Sequence, residues 1–372
     1  MKLPFIDLQA QRQTIADEIE TAVNRVIAHG AYILGPEVGQ FEKELAAFEE
    51  VPAVLGCANG TDALKLPMMA WGIGPGDAVF CPSFTYTATA EAVAILGATP
   101  VFVDVRSDTY TLCPDALAAA IEAVRQAGTL VPKAVISVDL FGQPADYPAL
   151  EPVVRAHGLK LISDNAQSLG CRLAGKSPAH WADVATTSFF PAKPLGCYGD
   201  GGAVMSRDED LIERLRDLAF HGRSKTPFDH DAVGLNSRLD TIQAAILLEK
   251  LKIFAREIQD RNRVAERYAT LLAPLGIKTP TVIDGGLSTW AQYVIEVDNR
   301  DAFLDNMRAQ GIPVASYYPR PVHLQSAYTA CPHGNGLPVT EDIMTRVAAL
   351  PMHAYLTPAQ QDMVVEAAGK SI

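Results

Sequence analysis

The chain has 372 residues, of which 48% are hydrophobic and 20% are charged, and its formal net charge is −12. This length exceeds the ~100–200 residues of one typical core, so we expect an ordinary soluble globular protein with two domains, or with one large domain and an appendage. The negative charge argues against nucleic acid or an anionic membrane as a partner, because both are bound by clustered Lys and Arg.

Cysteine usage and the start of the chain indicate a cellular compartment. The six cysteines are scattered without a CxxC pair, so we expect no metal site and a reduced, cytoplasmic protein. The opening MKLPFIDLQAQRQT lacks the sustained apolar stretch of a signal peptide. No apolar run approaches the ~20 residues that span a bilayer, so we expect no membrane partner.

Helical periodicity comes first, and an alternation of strands and helices follows. Residues 12–29 and 36–49 are predicted helices, separated by a glycine-containing segment. From about residue 53, short β-prone runs alternate with helical runs; the predicted strands are 78–81, 99–105, 133–140 and 159–163, and the predicted helices are 86–96, 114–127 and 145–157. This order predicts a mostly parallel sheet with helices on both faces.

The last third of the chain changes character. Residues 239–273 are periodic and contain no Gly or Pro, which predicts one long helix or two closely joined ones. The C-terminal part mixes predicted strands (290–297 and 313–318) with predicted helices (300–310, 339–349 and 358–368). We therefore expect a large domain over 1–250, which includes the N-terminal segment, and a smaller α+β domain over 251–372.

Two polar residues follow the apolar run 159–162. Asp164 and Gln167 belong to Ser-Asp-Asn-Ala-Gln-Ser, which places Asp164 at the carboxyl end of a parallel strand, where open α/β sheets bind ligands. A carboxylate there can pair with a protonated ring nitrogen, and Gln167 can reach the same ligand. The alternative, of equal weight, is that Asp164 caps the next helix.

A lysine flanked by prolines follows in SFFPAKPLG. Lys193 lies between Pro191 and Pro194 in an apolar, rigid loop, where a lysine can lose its charge, as a Schiff-base lysine must. The alternative is a surface lysine, the usual location of this residue.

A possible phosphate site precedes both motifs. In Asn-Gly-Thr-Asp the residues Gly60, Thr61 and Asp62 open a predicted helix, whose first N–H groups bind phosphate well. Ser188 would be a second phosphate ligand. Plain helix capping by Asn59 or Thr61 is the alternative.

An aromatic residue completes the set. Tyr86, in SFTYTAT, lies near a predicted strand end and could stack on a flat ring, although core packing is the more common location of an aromatic. A phosphate site, a stacking aromatic, a carboxylate and a lysine are together what pyridoxal 5′-phosphate (PLP) requires.

Longer motifs carry a resemblance to a known family. The chain resembles the DegT/DnrJ/EryC1/StrS aminotransferases, the nucleotide-sugar branch of the aspartate-aminotransferase-like (type I PLP) fold, over nearly its whole length. The matching motifs are GPEVGQFE (35–42), CANGTDAL (57–64), SDNAQSLG (163–170), SFFPAKPLGCYGDGGA (188–203) and GLNSRLDTIQAAIL (234–247). The resemblance implies an α/β fold with a mostly parallel, mixed seven-stranded sheet and a smaller C-terminal α+β domain.

The resemblance also implies a role for each matching residue. Lys193 is the Schiff-base lysine, Asp164 pairs with the pyridine nitrogen, Gln167 contacts the hydroxyl edge, Tyr86 stacks on the ring, Gly60, Thr61, Asp62 and Ser188 hold the phosphate, and Asn236 reaches the phosphate from the second subunit of a homodimer. Family members with His in place of the lysine carry out dehydration instead. Asn165 departs from the small or acidic residue that is frequent in the family, and we expect little consequence.

The implied reaction moves an amino group from L-glutamate to a nucleotide-linked keto sugar, and PLP cycles through pyridoxamine 5′-phosphate (PMP). The sequence looks closest to enzymes that aminate C3 of a UDP-linked 3-keto-N-acetylhexosamine uronic acid for surface polysaccharide such as lipopolysaccharide O-antigen. Candidate substrate contacts are Arg238 and Arg320 for the diphosphate, and His221, Tyr318 and His323 for the sugar. Surface or core placement is an equal alternative for each histidine, and the segment 320–323 varies with the sugar.

Three other functions stay open to different degrees. The substrate could be a dTDP- or GDP-linked 3- or 4-keto-6-deoxy sugar, or the chain could be a non-catalytic PLP-binding regulator. A nicotinamide enzyme, suggested by the glycines of 199–202, is disfavoured, because that fingerprint should follow the first strand of a βαβ unit.

Overall fold

The computed structural model describes residues 3–226, 228–334 and 336–372. The strands are β1 (Ala53–Cys57), β2 (Asp77–Pro82), β3 (Thr99–Val103), β4 (Val131–Val138), β5 (Lys160–Asp164), β6 (Arg172–Leu173), β7 (Val184–Ser188), β8 (Gly202–Ser206), β9 (Gly286–Leu287), β10 (Tyr293–Glu296) and β11 (Val347–Leu350). The helices are α1 (Leu8–Thr14), α2 (Ala16–His29), α3 (Pro36–Glu49), α4 (Gly60–Ala70), α5 (Ala88–Ile95), α6 (Pro114–Ala127), α7 (Tyr147–Ala156), α8 (Glu209–Ala219), α9 (Thr241–Leu272), α10 (Arg300–Ala309), α11 (Pro338–Ile343) and α12 (Pro358–Gly369).

Seven strands form one sheet in the order β1-β8-β7-β5-β4-β2-β3. The pairs β2–β3, β2–β4, β4–β5 and β5–β7 are parallel, whereas β8 runs antiparallel to both β7 and β1. The carboxyl ends of β1, β7, β5, β4 and β2 therefore meet at one edge of the sheet. The predicted fold, a mostly parallel mixed sheet of seven strands, is confirmed.

Both faces of the sheet are covered, because successive residues of a strand point to opposite sides. Val79 and Cys81 of β2 belong to the core shared with α4, α5 and α8. Ala78 and Phe80 of the same strand belong to the core shared with α6 and α7. This burial on both faces explains why the strands read as short continuous apolar runs rather than alternating ones.

Helix α9 is a single helix, which settles the prediction for 239–273. Its first half packs in the core that contains α3 and β8, and its last residues, from Val264 to Leu272, pack with β10, β11, α10 and α12. The helix thus runs across the proposed boundary between residues 250 and 251 and contacts both cores. The division into domains 1–250 and 251–372 stays a prediction.

Three predicted elements differ from the structure. The predicted helix 339–349 is helical only to Ile343, and Val347–Leu350 instead pairs with Tyr293–Glu296 as an antiparallel strand. Its two alanines favour a helix locally, and pairing with β10 outweighs that preference. Residues 313–318 form no strand beyond a single bridge from Ala315. The predicted helix 12–29 is interrupted at Ile15, which has non-helical backbone angles.

Among the described residues, no helix is both long and apolar enough to cross a membrane.

Candidate functional site

The predicted site residues converge because their strands end at the same edge. Asp164 is the last residue of β5 and Ser188 is the last residue of β7. Gly60 begins α4 shortly after β1 ends, and Tyr86 follows β2. The loop that carries Lys193 leaves β7 and returns as β8. Strand pairing thus gathers segments that lie more than a hundred residues apart.

Asp164 is buried and lies beside polar partners at the end of β5. Its Oδ1 accepts a hydrogen bond from the Ala166 amide at 3.1 Å, and its Oδ2 accepts one from Thr89 Oγ1 at 3.3 Å. Burial raises the pKa of this carboxyl, while both hydrogen bonds and the charge of Lys193 act in the opposite direction. Its burial and these two hydrogen bonds place the carboxyl group of Asp164 inside the site.

Lys193 is half-buried, and its amine lies within electrostatic range of Asp164. Loss of hydration lowers the pKa of its amine, and attraction to the Asp164 carboxylate raises it in part. Its backbone N–H donates to the Phe190 carbonyl at 2.8 Å, which closes a tight turn. The turn needs Gly196, because a Cβ there would lie 2.4 Å from the Pro191 carbonyl oxygen. The structure thus shows a tight turn at Lys193, and the role of this lysine stays a prediction.

The start of α4 approaches the end of β7 closely. A Cβ at Gly60 would lie 2.7 Å from the Cβ of Ser188, so only glycine fits at this contact. Asn59 caps the helix by accepting from the Asp62 amide at 2.8 Å, which leaves the amides of Gly60 and Thr61 at the helix start without an intrahelical partner. An anion held there would meet these two N–H groups and the Ser188 hydroxyl.

Asp62 contributes to this cradle differently from the prediction. Its carboxylate pairs with Lys65 at 2.7 Å, and its amide is already bonded to Asn59. A negative carboxylate repels a phosphate, so the structure favours a role for Asp62 in the helix start rather than as a direct phosphate ligand.

Gln167, three residues after Asp164, contacts Tyr318 from the C-terminal part of the chain. Gln167 Nε2 donates to Tyr318 Oη at 2.9 Å, and its Oε1 accepts from the Phe141 amide at 2.9 Å. The ring of Tyr318 packs edge-on against Phe84 at 6.1 Å. Tyr86, in contrast, is 59% exposed, which leaves its ring free to stack on a ligand.

Asn236 and Arg238 lie together on an exposed segment. The Arg238 guanidinium donates to Asn236 Oδ1 and lies 5.0 Å above the ring of Phe220. The next residue, Ser237, accepts from the Ala58 amide at 3.1 Å. The segment therefore passes beside the phosphate cradle of its own chain, while the Asn236 side-chain oxygen accepts from Arg238.

The remaining predicted substrate residues occupy different surroundings. His221 is exposed, and so is Arg320, whose Nε donates to the Leu324 carbonyl at 2.7 Å. His323 is buried: its Nδ1 lies 2.6 Å from Ser83 Oγ and its Nε2 lies 3.4 Å from Glu341 Oε1. This is the core placement that was left open for the histidines.

Two sets of hydrogen-bond partners around the site were not identified from the sequence. Thr89, which bonds Asp164, lies in the same short motif as Tyr86, and the shared strand end was the available signal. Asn165 belongs to a buried network: its Nδ2 donates to Asp139 Oδ2 at 2.5 Å, and Tyr147 Oη donates to Asp139 Oδ1 at 2.8 Å. Burial raises the pKa of Asp139 to about 7. Asn165 is thus a structural support beneath the site.

The residues present fit PLP. The glycine-only contact between Gly60 and Ser188, next to free helix N–H groups, suits its phosphate. The desolvated amine of Lys193 suits its aldehyde, and the buried carboxylate of Asp164 suits its ring nitrogen. The glycine-rich residues 199–201 lead into β8 and open no helix, which removes the basis for a nicotinamide site.

Comparisons with known proteins agree with this arrangement. The model of the DegT/DnrJ/EryC1/StrS aminotransferase family matches residues 13–368. A UDP-2-acetamido-2-deoxy-3-oxo-D-glucuronate aminotransferase from Pseudomonas aeruginosa is 46% identical over 365 residues, which cover 98% of this chain and 99% of that protein.

Solved structures extend the similarity to the fold. A DegT DnrJ EryC1 StrS aminotransferase from Brucella abortus has a TM-score of 0.97 and 49% identity, with 98% of both chains covered. NtdA from Bacillus subtilis, with bound cofactor PMP, has a TM-score of 0.87 and 29% identity, covering 99% of this chain and 84% of that one. The chain therefore belongs to the DegT/DnrJ/EryC1/StrS family of PLP-dependent aminotransferases.

Proposed function

We propose that this aminotransferase transfers the amino group of L-glutamate to C3 of a UDP-linked 3-keto-N-acetylhexosamine uronic acid. The observation that carries the reaction is the placement of the Lys193 amine within electrostatic range of the buried Asp164, beside a phosphate cradle. The relative that is 46% identical over 98% of the chain supports the choice of sugar. The product would serve surface polysaccharide synthesis in the cytoplasm.

Different residues of the chain would transfer the proton, keep the cofactor ring protonated and bind its phosphate. PLP supplies an electron sink for the bond that breaks at the donor's Cα. The Lys193 amine, uncharged at a lower pH than an exposed lysine, would take the proton from that carbon as a base and return it, as an acid, at C4′ of the cofactor, on the far side of the nitrogen that joins the two carbons. Asp164 keeps the ring nitrogen protonated, and the cradle at Gly60, Thr61 and Ser188 fixes the ring's distance from Lys193.

A homodimer with shared sites is part of the proposal. Phe190 and Val233 are large apolar side chains that are exposed in segments carrying site residues, and exposed apolar surface can mark protein contacts. Asn236 lies near Val233 on an exposed segment. In a two-fold symmetric dimer, its side-chain amide can therefore reach the phosphate that is bound by the partner subunit. In the single chain, the Arg238 guanidinium donates a hydrogen bond to the Asn236 side chain. The diphosphate of the substrate needs cationic partners at the mouth of the site, and Arg238 is a candidate for that role.

The experiment is a product assay with nitrogen-labelled L-glutamate and a panel of UDP-, dTDP- and GDP-linked keto sugars. Mass spectrometry should find the label on the UDP-linked 3-keto uronic acid, and Lys193→Ala should abolish the transfer. Lys133→Ala, which alters a half-exposed lysine at the start of β4, should keep wild-type activity. Transfer only to a dTDP- or GDP-linked sugar would overturn the substrate, and cofactor binding without any transfer would favour a regulator.

A further inference from the structure

A second lysine lies buried beneath the loop that carries Lys193. Lys250, on α9, is 1% exposed. Its Nζ donates to the Gly196 carbonyl at 2.6 Å and lies 4.3 Å from the centre of the Tyr198 ring. A carbonyl dipole and an aromatic face are thus its direct contacts, and the charge of Glu257 also favours the ammonium form from a longer distance.

Burying an ammonium group is costly unless its partners compensate. Loss of hydration lowers the pKa of Lys250 to about 8, so the group stays mostly charged at neutral pH. A methionine of similar length would fill the same space without this cost. The hydrogen bond to Gly196 is the specific feature that the charge provides.

Gly196 belongs to the turn that presents Lys193. The backbone of Lys193 bonds to Phe190, and Gly196 packs against Pro191 with no room for a Cβ. A displacement of the Gly196 carbonyl would therefore move the turn, and the Lys193 amine with it.

A second residue of α9 holds the same loop. Gln243 Oε1 accepts from the Tyr198 amide at 2.9 Å. Gln243 and Lys250 are two helical turns apart and so project from one face of α9. Helix α9 thus holds the loop at two points, Gly196 and Tyr198.

We propose that Lys250 is a positioning residue that fixes the Lys193 amine at the aldehyde carbon of PLP through the Gly196 carbonyl. This inference rests on the proposed role of Lys193. In forming the lysine-bound cofactor, the amine nitrogen condenses with the aldehyde and one water leaves. PMP has an amine instead of the aldehyde and binds through phosphate and ring contacts alone.

The test compares the two cofactors on full-length Lys250→Met protein. We expect the Kd for PLP to rise by about tenfold or more, the range for a hydrogen bond to a charged group, and the Kd for PMP to stay at the wild-type value. The fraction of Lys193 that carries the cofactor, trapped with borohydride and measured by peptide mass spectrometry, should fall in parallel. Lys252→Met is the matched control, because Lys252 is an exposed lysine of the same helix that pairs with Glu249.

Each other outcome has a meaning. Unchanged PLP binding, or an equal loss of PLP and PMP, would overturn the positioning role, since a general structural defect affects both cofactors. If Lys250→Met does not fold, Lys250→Leu, which also lacks a donor, is measured in its place; failure of both would make Lys250 a residue of the fold alone. Lys193→Ala separates the two proposals: trapped cofactor in that variant would refute the role of Lys193, irrespective of Lys250.

Discussion

Gln167 donates a hydrogen bond to Tyr318 across 2.9 Å and thereby links the segment after β5 to the C-terminal part of the chain. The amide of Gln167 is fixed at its other end by Phe141. Because both ends are held, the orientation of this amide beside Asp164 depends on residues from three separate parts of the sequence.

Tyr318→Phe should weaken PMP binding by about 1 kcal/mol, or roughly fivefold, because it removes one hydrogen-bond partner from a buried amide. Isothermal titration calorimetry measures this directly. Tyr317→Phe is the control: that ring packs against Phe5 at 6.3 Å and should tolerate loss of its hydroxyl. Equal affinities for wild type and Tyr318→Phe would show that Gln167 does not rely on this bond.

Asp164→Asn should keep the fold and lower kcat by about a hundredfold or more, the usual effect of removing one preorganised electrostatic contact. A neutral amide cannot hold the ring nitrogen protonated. Nitrogen NMR of labelled PMP in the site reports that proton, and its retention in the variant would rule out the role given to Asp164. Asp115→Asn, at an exposed carboxylate in the first turn of α6, should leave both readouts unchanged.

The strand ends were predictable because β5 and the neighbouring strands are short apolar runs in an alternating order. That order alone is enough to place Asp164 at the ligand-binding edge of the sheet. The Lys193 loop was predictable from its prolines. The resemblance to a family supplied the count of seven strands, which composition and periodicity could not.

What escaped prediction depends on contacts between distant residues. The strand Val347–Leu350 exists because β10 pairs with it, and its own alanines indicate a helix. The bonds of Asn165 to Asp139, of Thr89 to Asp164 and of Lys250 to Gly196 each join residues that nothing in the sequence relates. Likewise, only tertiary packing shows that His323 is buried.

Mixed dimers test the shared site. Lys193→Ala and Asn236→Ala proteins should each be nearly inactive, and subunit exchange between them should restore up to half of the wild-type activity per mixed dimer. In the mixed dimer, one site carries both changes and the other carries neither.

The activity of Asn236→Ala alone must be low for this test to apply. Mixed dimers that form, as shown by differently tagged subunits, and yet stay inactive would mean that each chain builds its site alone. The contact of Ser237 with Ala58 in the same chain shows where such a site would receive Asn236.

His353 should make the protein sensitive to acid. Burial and the nearby charge of Arg261 lower the pKa of His353 to about 4, with Asp7 acting weakly against them. Since the ordinary value is about 6.5, the unfolded chain takes up the proton first as pH falls. The stabilising contribution is complete above pH ~6.5 and is lost progressively toward pH ~4.

His353→Phe should therefore lose less stability than wild type between pH 7.5 and pH 5, by roughly 2 kcal/mol at most. Urea unfolding at the two pH values measures the difference. His230→Phe, at an exposed histidine, should follow wild type. Parallel curves for wild type and His353→Phe would show that this histidine does not control the acid limb.

The antiparallel pairing of β8 with β7 has a consequence for how the sequence can evolve. Ser188 pairs with Gly202, so the sheet fixes both ends of the loop that joins them. The loop thus connects two adjacent antiparallel strands. Residue 193 can be substituted, or the conformation of the loop can change, while the contact between Gly60 and Ser188 that forms the phosphate cradle is kept. A fold connected in this way separates holding the cofactor from choosing its chemistry, and it allows new reactions to arise by changes within one short stretch of chain.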